Sequence, residues 1–402
     1  MLQHIGGVSF VLGLIMILAA LSSIVLARSL PQSDFGQFSL MRTLILFIPP
    51  LTIWGQDLST ARFFSRHSPE TYNWHAAFRK VWCVAMILSA AAVIAAFFIY
   101  DLNGFNVWML AVACLFYTLI LFVSNLVRSR QRYNRAILIL NGFRGLFLPL
   151  LLLLGLFSVL NLYSVVTGYV GMLALVAVAG TLYALKSIPS GPTPVPGEYY
   201  RSGFILMGSQ IAVTVMNSMD SLMIPYLLGY EALGLYAACL VPVRGFSILG
   251  RAGKYVWVPE FGRTASVRIK RISLAVGALS LLLLAAFVVF ARPILHLLYS
   301  GKYDSGVGVL RILAAAGALK LIYTLSSSLI VGKLNNVALR WYTRVNMVST
   351  LFYIGLLYVM VKAFSVTGAA LALLSIGLLR LLAGYGLLYL FRGQLSGEEP
   401  AC

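Results

Sequence analysis

Seven charged side chains stand deep inside long apolar runs: Arg42, Arg144, Arg244, Arg311, Lys320, Arg380 and Asp220. A charge at the centre of a membrane helix costs about 2.5–3.5 kcal/mol on insertion scales. Such groups therefore face a bundle interior or a wet cavity. Cations gathered in a cavity attract an anion. The planar fork of arginine matches phosphate oxygens better than the point charge of lysine does. At about 1.5 Å of rise per residue, Arg244 and Arg380 fall near mid-run and Lys320 close to it. Arg42 and Arg144 fall about a third of the way in on the same rise. Arg311 is near enough to an outer edge for its head to reach the interface. The anion-binding candidates are thus Arg42, Arg244, Arg144, Lys320 and Arg380. The competing reading is packing, with each cation meeting a helix end or an acid. Asp220 is the ion-coupling candidate, with three readings open: it neutralises a cavity arginine, binds Na⁺ or carries a proton. Asp57 is expected to pair with Arg62 near the inner interface.

No other chemistry announces itself. The sequence has no phosphate-binding glycine loop, no HExxH, no carboxylate pair and no Ser-His arrangement that spacing supports. The 4 histidines are scattered and His296 reads as a non-ligand. Of the 4 cysteines, Cys83, Cys114 and Cys239 lie within apolar runs and Cys402 is the last residue. None is spaced as a zinc or redox pair, and Cys402 lacks a prenylation box. The expectation is no catalytic residue, no metal and no cofactor beyond a coupling H⁺ or Na⁺.

The elements that must position these charges are membrane helices. The chain has 402 residues, 60% of them hydrophobic and 10% charged, with mean hydropathy +0.92. A soluble domain carries about 25% charged residues, so lipid must be the solvent here. Twelve runs are long enough to span: roughly 8–27, 37–58, 81–100, 107–127, 136–158, 163–185, 203–225, 233–257, 272–291, 306–330, 343–361 and 366–390. None shows the alternation of an outer-membrane barrel. The first lacks a basic region before it and a small-residue cleavage site after it, and reads as a retained span.

The formal charge of +19 would suggest nucleic acid in a soluble protein. Its distribution argues otherwise. Of 30 Lys and Arg, six lie in spans and four (Arg28, Arg292, Lys302 and Lys362) in loops of one side. The other 20 (30 − 6 − 4) lie in the loops of the opposite side and the C-terminal tail. This bias places both termini in the cytoplasm. The segment "RSRQRYNR" therefore reads as a topology signal meeting anionic headgroups, and no nucleic-acid partner is expected. Trp74, Trp82, Trp108, Trp257 and Trp341 fall near span ends, as an interfacial aromatic belt would.

The segment "KSIPSGPTPVPGEYYRSG" carries four prolines and three glycines and reads as a non-helical linker. It divides the spans six and six: lobe 1–185, cytoplasmic linker 186–202, lobe 203–391 and cytoplasmic tail 392–402. Even halves enter the membrane from one side, so a pseudo-two-fold axis would run along the membrane normal. The loop "SLPQSDFGQF" recurs as "LLGYEALGLY" at an offset of 198 residues. Gly36 then falls on Gly234, Phe35 on Leu233 and Phe38 on Tyr236. Gly suits a tight turn, and the aromatic suits the interface. Arg42 maps to Leu240, and Arg244 lies four residues further, one helical turn along the same face. Pro49-Pro50 is expected to break or kink the second span.

"ARSLPQSDFGQFSL" resembles the first outer loop of the oligosaccharide flippases, the polysaccharide-transport branch of the multidrug/oligosaccharidyl-lipid/polysaccharide (MOP) exporter superfamily. Arg28, Leu30, Asp34, Phe35, Gly36 and Phe38 fit its pattern. "LGYEALGLYAA", "LLYSGKYDSGVGVLRIL" and "TGAALA" are similar to later family segments, in order. The resemblance implies an all-α, two-lobed bundle of about 12 spans with a MATE-like fold. It implies alternating access, and transport of undecaprenyl-pyrophosphate-linked sugar units for O-antigen, capsule or exopolysaccharide to the outer leaflet of the bacterial inner membrane. The implied partners are that lipid-linked oligosaccharide and membrane lipids. The chain is expected to act as a monomer, with a polymerase or glycosyltransferase as candidate protein partner. The alternatives are an ion-coupled exporter of another anionic amphiphile, such as a peptidoglycan lipid precursor, and, less favoured, a drug exporter. A polymerase or ligase would need a large outer loop, which is lacking, and a structural scaffold would not explain buried cations.

Reporter fusions at Gly104, Asn161 and Gly301 should read as periplasmic, and those at Ser129 and Gly191 as cytoplasmic. Opposite readings at two or more sites would overturn the orientation.

Overall fold

The computed structural model describes residues 2–263, 269–334 and 336–391. Its contacts divide the chain into two compact units, Met1–Tyr226 and Leu227–Cys402. The first holds α1 (Leu2–Ser29), α2 (Gln32–Thr52), α3 (Gln56–Phe64), α4 (Trp74–Tyr100), α5 (Gly104–Ser129), α6 (Tyr133–Leu156), α7 (Leu162–Ser187) and nearly all of α8 (Gly197–Leu228). The second holds α9 (Tyr230–Arg263), α10 (Ile269–Val289), α11 (Ala291–Tyr299), a 3-10 turn, α12 (Val307–Lys333) and α13 (Asn336–Leu390). Among the described residues the only extended pairing is one parallel bridge, Tyr72 to Thr193.

Among the described residues ten helices are long and apolar enough to cross a bilayer, α13 counting as one of them, and α2 with α3, bent by 59°, adds another. α13 is two spans. Ser365 interrupts it at φ 56°, ψ −137°. A side chain at Gly368 would run into the Met360 carbonyl, although eight residues of straight helix span about 12 Å. The chain therefore reverses at Ser365 with almost no loop. Ten, one and one make the twelve spans that hydropathy predicts.

The repeated loop marks two equivalent helix breaks. α2 begins at Gln32 after Pro31, and α9 begins at Tyr230 after Gly229, again 198 residues apart. Phe35 and Leu233 are fully buried, and so are Phe38 and Tyr236. The expectation for the aromatic is thus corrected. Phe38, 2% exposed, is a core anchor stacked on Phe147 at 5.9 Å and edge-on to Tyr169 at 5.6 Å. Trp74 also leaves the belt: its indole N–H donates to the carbonyls of Ile188 and Pro189 at 3.3 and 3.2 Å. Trp108 and Trp341 are exposed, as a belt requires.

Two backbone expectations shift. Pro49 and Pro50 lie within α2. The break follows them, at Trp54 and Gly55 with φ 49° and 73°. The Pro49 carbonyl still accepts the Ile53 N–H at 2.9 Å, so the turn after the prolines closes normally. The linker is extended only to Pro196. α8 begins at Gly197 with Glu198 in its first turn, where an acid suits the positive end of the helix dipole.

The start of α8 is fastened to α3. Gln56 Nε2 donates to the Tyr200 carbonyl at 2.9 Å. Ser59 Oγ donates to the Tyr199 carbonyl at 2.7 Å and shares a 2.6 Å contact with Ser202 Oγ. Thr60 Oγ1 meets the Tyr199 hydroxyl at 2.7 Å. Gly55 and Gly203 let the backbones touch: a Cβ on Gly55 would strike the Gly203 carbonyl. Gly55→Ala combines a left-handed φ with that overlap and should cost about 2–4 kcal/mol. Gly104→Ala, with nothing within 4 Å, should be nearly neutral. Thermal unfolding of the detergent-solubilised protein checks both, and equal melting temperatures would refute the close approach.

Candidate functional site

Of the charges singled out by sequence, the structure brings two together inside the first unit. Arg42 lies on α2, half-buried, and its Nη1 donates to Ser23 Oγ of α1 at 3.0 Å. Ser23 Oγ in turn donates to the Ala19 carbonyl at 3.0 Å, so the contact is held from behind. Arg144 lies on α6, with its guanidinium 5.5 Å from the Phe143 ring centroid. Arg42 and Arg144 lie within electrostatic reach of each other, with the Tyr169 and Tyr117 phenols nearby. The Nε of Arg144 is buried with no hydrogen-bond partner among the described residues.

The walls around the pair are aromatic. Phe143 and Tyr169 meet edge-on at 5.6 Å, as do Phe147 and Tyr169 at 5.0 Å and Tyr117 and Phe143 at 6.0 Å. Neither arginine has a carboxylate within 4.0 Å; the ion pairs among the described residues are Arg130–Glu70 and His296–Asp304. Two like charges in a low-dielectric wall repel each other. An anion relieves that repulsion and supplies acceptors for the free donors.

Asp57 does not pair with Arg62. Residues five apart on a helix point about 140° apart, and i,i+3 and i,i+4 pairs are the ones that meet. Arg62 is exposed, whereas Asp57 is 3% exposed. One carboxyl oxygen of Asp57, Oδ1, is buried without a hydrogen-bond partner. The phenols of Tyr117 and Tyr199 lie within electrostatic reach of it. Asp220, on α8 and 5% exposed, is held locally: Oδ1 accepts the Ser221 N–H at 2.7 Å and lies 3.4 Å from Ser221 Oγ.

The remaining candidates lie in the second unit. Arg244 is half-buried on α9, within electrostatic reach of Tyr299. Lys320 is exposed on α12. Arg311 donates from Nε to the Val288 carbonyl at 3.2 Å, the local satisfaction expected of a snorkelling side chain. Arg380 donates from Nη2 to the Asn346 carbonyl at 3.3 Å and to Thr350 Oγ1 at 3.2 Å. Beside it, Tyr323 donates to the Tyr342 hydroxyl or to Asn346 Oδ1, both at 3.1 Å. Sequence reasoning passed over this polar nest. The available signal was Tyr342, Asn346 and Thr350, one helical turn apart along one face. For Tyr117 and Tyr169 there was none, because an aromatic in an apolar run reads as core.

Comparison with known proteins bears on what this arrangement serves. No curated protein matches the chain. Solved structures show the fold. An inward-facing multidrug-resistance MATE transporter of the MOP superfamily is similar at 14% identity and TM-score 0.65, over 94% of this chain and 95% of that one. The Vibrio cholerae MATE transporter VcmN is similar at 13% identity and TM-score 0.62, over 98% and 96%. A eukaryotic MATE transporter, AtDTX14, is similar at 14% identity and TM-score 0.57, over 99% and 96%. The family described as "Polysaccharide biosynthesis protein" matches residues 2–264, so the chain belongs to that family, as a multi-pass membrane protein of MATE-like fold.

Proposed function

We propose that this exporter flips a polyprenyl-pyrophosphate-linked oligosaccharide from the inner to the outer leaflet of the bacterial cytoplasmic membrane by alternating access. The observation that carries the reading is the Arg42–Arg144 pair, two guanidinium groups in membrane helices with no carboxylate partner and aromatic walls. Guanidinium forks suit pyrophosphate oxygens. Aromatic faces suit the sugar or prenyl portion beside them. Arg244, Lys320 and Arg380 are the basic candidates within the second unit. Both termini are cytoplasmic, following the positive-inside bias.

The substrate is an anion, and its transport draws on an H⁺ or Na⁺ gradient or on the membrane potential. A coupling H⁺ or Na⁺ would neutralise Asp220. Only a ligand with different affinity for the two access states can shift them, and an ion at a buried carboxylate meets that condition.

Arg42→Ala should weaken headgroup binding by about 1.5–3 kcal/mol, the worth of a charge-assisted contact, and slow transport at least tenfold. Arg42→Lys keeps the charge but not the fork and should fall between. Transport of labelled lipid-linked sugar into proteoliposomes is the measurement. If the Arg42→Ala/Arg144→Ala double variant, inserted at normal level, transports at the wild-type rate, the anion site is elsewhere. In the same vesicles Asp220→Asn should bind lipid normally yet lose its response to an imposed pH or Na⁺ gradient. A full response would reduce Asp220 to a structural acid.

A further inference from the structure

Three span ends converge within the first unit: the end of α5 at Ser129, the start of α6 at Tyr133 and the last turns of α7 around Tyr183. Gln131 carries the turn from α5 to α6 at φ 59°. Arg132 Nη1 donates to the Tyr183 hydroxyl at 2.6 Å, and Arg135 Nη1 donates to the same oxygen. Their guanidinium carbons lie 5.9 and 5.0 Å from the Tyr183 ring centroid. Two cations are thus gathered on one phenol. A cleft of about 360 Å³ opens there, lined by Gln131, Arg132, Tyr133, Asn134 and Arg135.

The charge at this cleft is not answered by an acid. Arg130, on the same turn, has Glu70 at 4.0 Å. Arg132 and Arg135 have no carboxylate within 4.0 Å among the described residues. Each guanidinium carries more N–H donors than the phenol uses. Lys186, three residues after Tyr183 and so on its face of α7, is exposed and adds a third cation. The backbone sharpens the demand: Arg132 is the N-cap of α6 and makes no capping hydrogen bond, and no acid stands in the first turn. Cations at the positive end of a helix dipole repel it, and an anion is the group that stabilises it. The place of the cleft selects the kind of anion. The turn joins two membrane spans, so it lies at headgroup level. Leu138, one turn beyond Arg135, and Leu182 and Leu185, beside Tyr183, are exposed, an apolar surface suited to acyl chains.

We propose that Arg132, Arg135 and Tyr183 form a binding site for the phosphate group of an anionic phospholipid, on the face that the basic loops mark as cytoplasmic. The two guanidinium forks take the phosphate oxygens, and the Tyr183 hydroxyl holds the forks together. A zwitterionic headgroup brings its own cation to three others and binds more weakly. The bound lipid ties the start of α6 to the end of α7, a role beyond the setting of topology by loop charge. Arg144 lies nine residues further along α6, about 13 Å away by helical rise, so this site is distinct from the Arg42–Arg144 pair. Its test involves no transport.

The full-length protein in detergent micelles is titrated with phosphatidylglycerol, phosphatidylcholine or inorganic phosphate, and the bound molecules are counted by native mass spectrometry. Wild type should hold one phosphatidylglycerol about tenfold more tightly than phosphatidylcholine or free phosphate. The Arg132→Gln/Arg135→Gln variant should lose that preference. Arg62→Gln/Arg66→Gln removes the same charge from exposed positions of the same side and should keep it. Tyr183→Phe leaves every charge in place and should weaken phosphatidylglycerol binding by about threefold. General attraction between a basic surface and acidic lipid does not produce that loss, so Tyr183→Phe carries the test if the double arginine variant fails to insert. Equal phosphatidylglycerol affinity in wild type and the site variants overturns the proposal. An equal loss in Arg62→Gln/Arg66→Gln overturns it as well, because net charge then accounts for the binding. Phosphatidylcholine held as tightly as phosphatidylglycerol overturns the anionic headgroup, and inorganic phosphate held as tightly overturns the lipid as its source.

Discussion

A polar group in the hydrocarbon region has no water to fall back on, and each unsatisfied one costs several kcal/mol. Every backbone N–H and C=O must be paired within the chain, so the spans are helices and the breaks in them sit against other protein. The break between α2 and α3 obeys this rule: it is covered by the start of α8, and the side chains beside it bind the Tyr199 and Tyr200 carbonyls. The reversal at Ser365 obeys it by contact between Gly368 and the Met360 carbonyl. Charges are held to the same standard. Arg311 and the Nη2 of Arg380 find carbonyls and a hydroxyl, whereas Arg380 Nε, Arg144 Nε and Asp57 Oδ1 do not. Atoms left unsatisfied where satisfaction is the rule are the places where a ligand or a proton has something to do.

Hydropathy made the twelve spans legible because lipid imposes length and apolarity on each helix separately. Even the hairpin within α13 showed as a gap between two apolar runs, although the backbone hardly pauses there. Arg42 and Arg144 were legible for the related reason that charges are rare in such runs. Their companionship was not, since it depends on α2 and α6 meeting across α1 and α7, and no spacing in the sequence encodes that. Asp57 was misread because chain proximity to Arg62 was taken for spatial proximity. Its position on α3 turns it inward onto α5 and α8, while Arg62 turns out. The aromatic residues erred the same way. Phe38 and Trp74 sit near span ends but are 2% exposed, spent on packing and on holding the linker.

The Arg42–Arg144 pair and the nest around Arg380 answer the same problem differently. In the first, two cations lie among aromatic side chains, and Arg144 keeps Nε without a partner. In the second, one cation lies among Asn346, Thr350, Tyr323 and Tyr342, with hydroxyls and an amide already linked to one another. The first arrangement suits a compact anion. The second spreads donors and acceptors over several groups that already satisfy one another.

The hold of α3 on α8 separates two histories within one helix. By the 198-residue offset α8 descends as the counterpart of α1, the opening helix of a duplicated half. By its hydrogen bonds its first turns belong with α3. Tyr199, Ser202 and Gly203 therefore evolve under the constraint of Gln56, Ser59 and Thr60, residues of the other copy. A substitution on either side is acceptable only with its answer some 140 residues away. Ancestry would group this helix with the second half, while covariation would group its opening turns with the first.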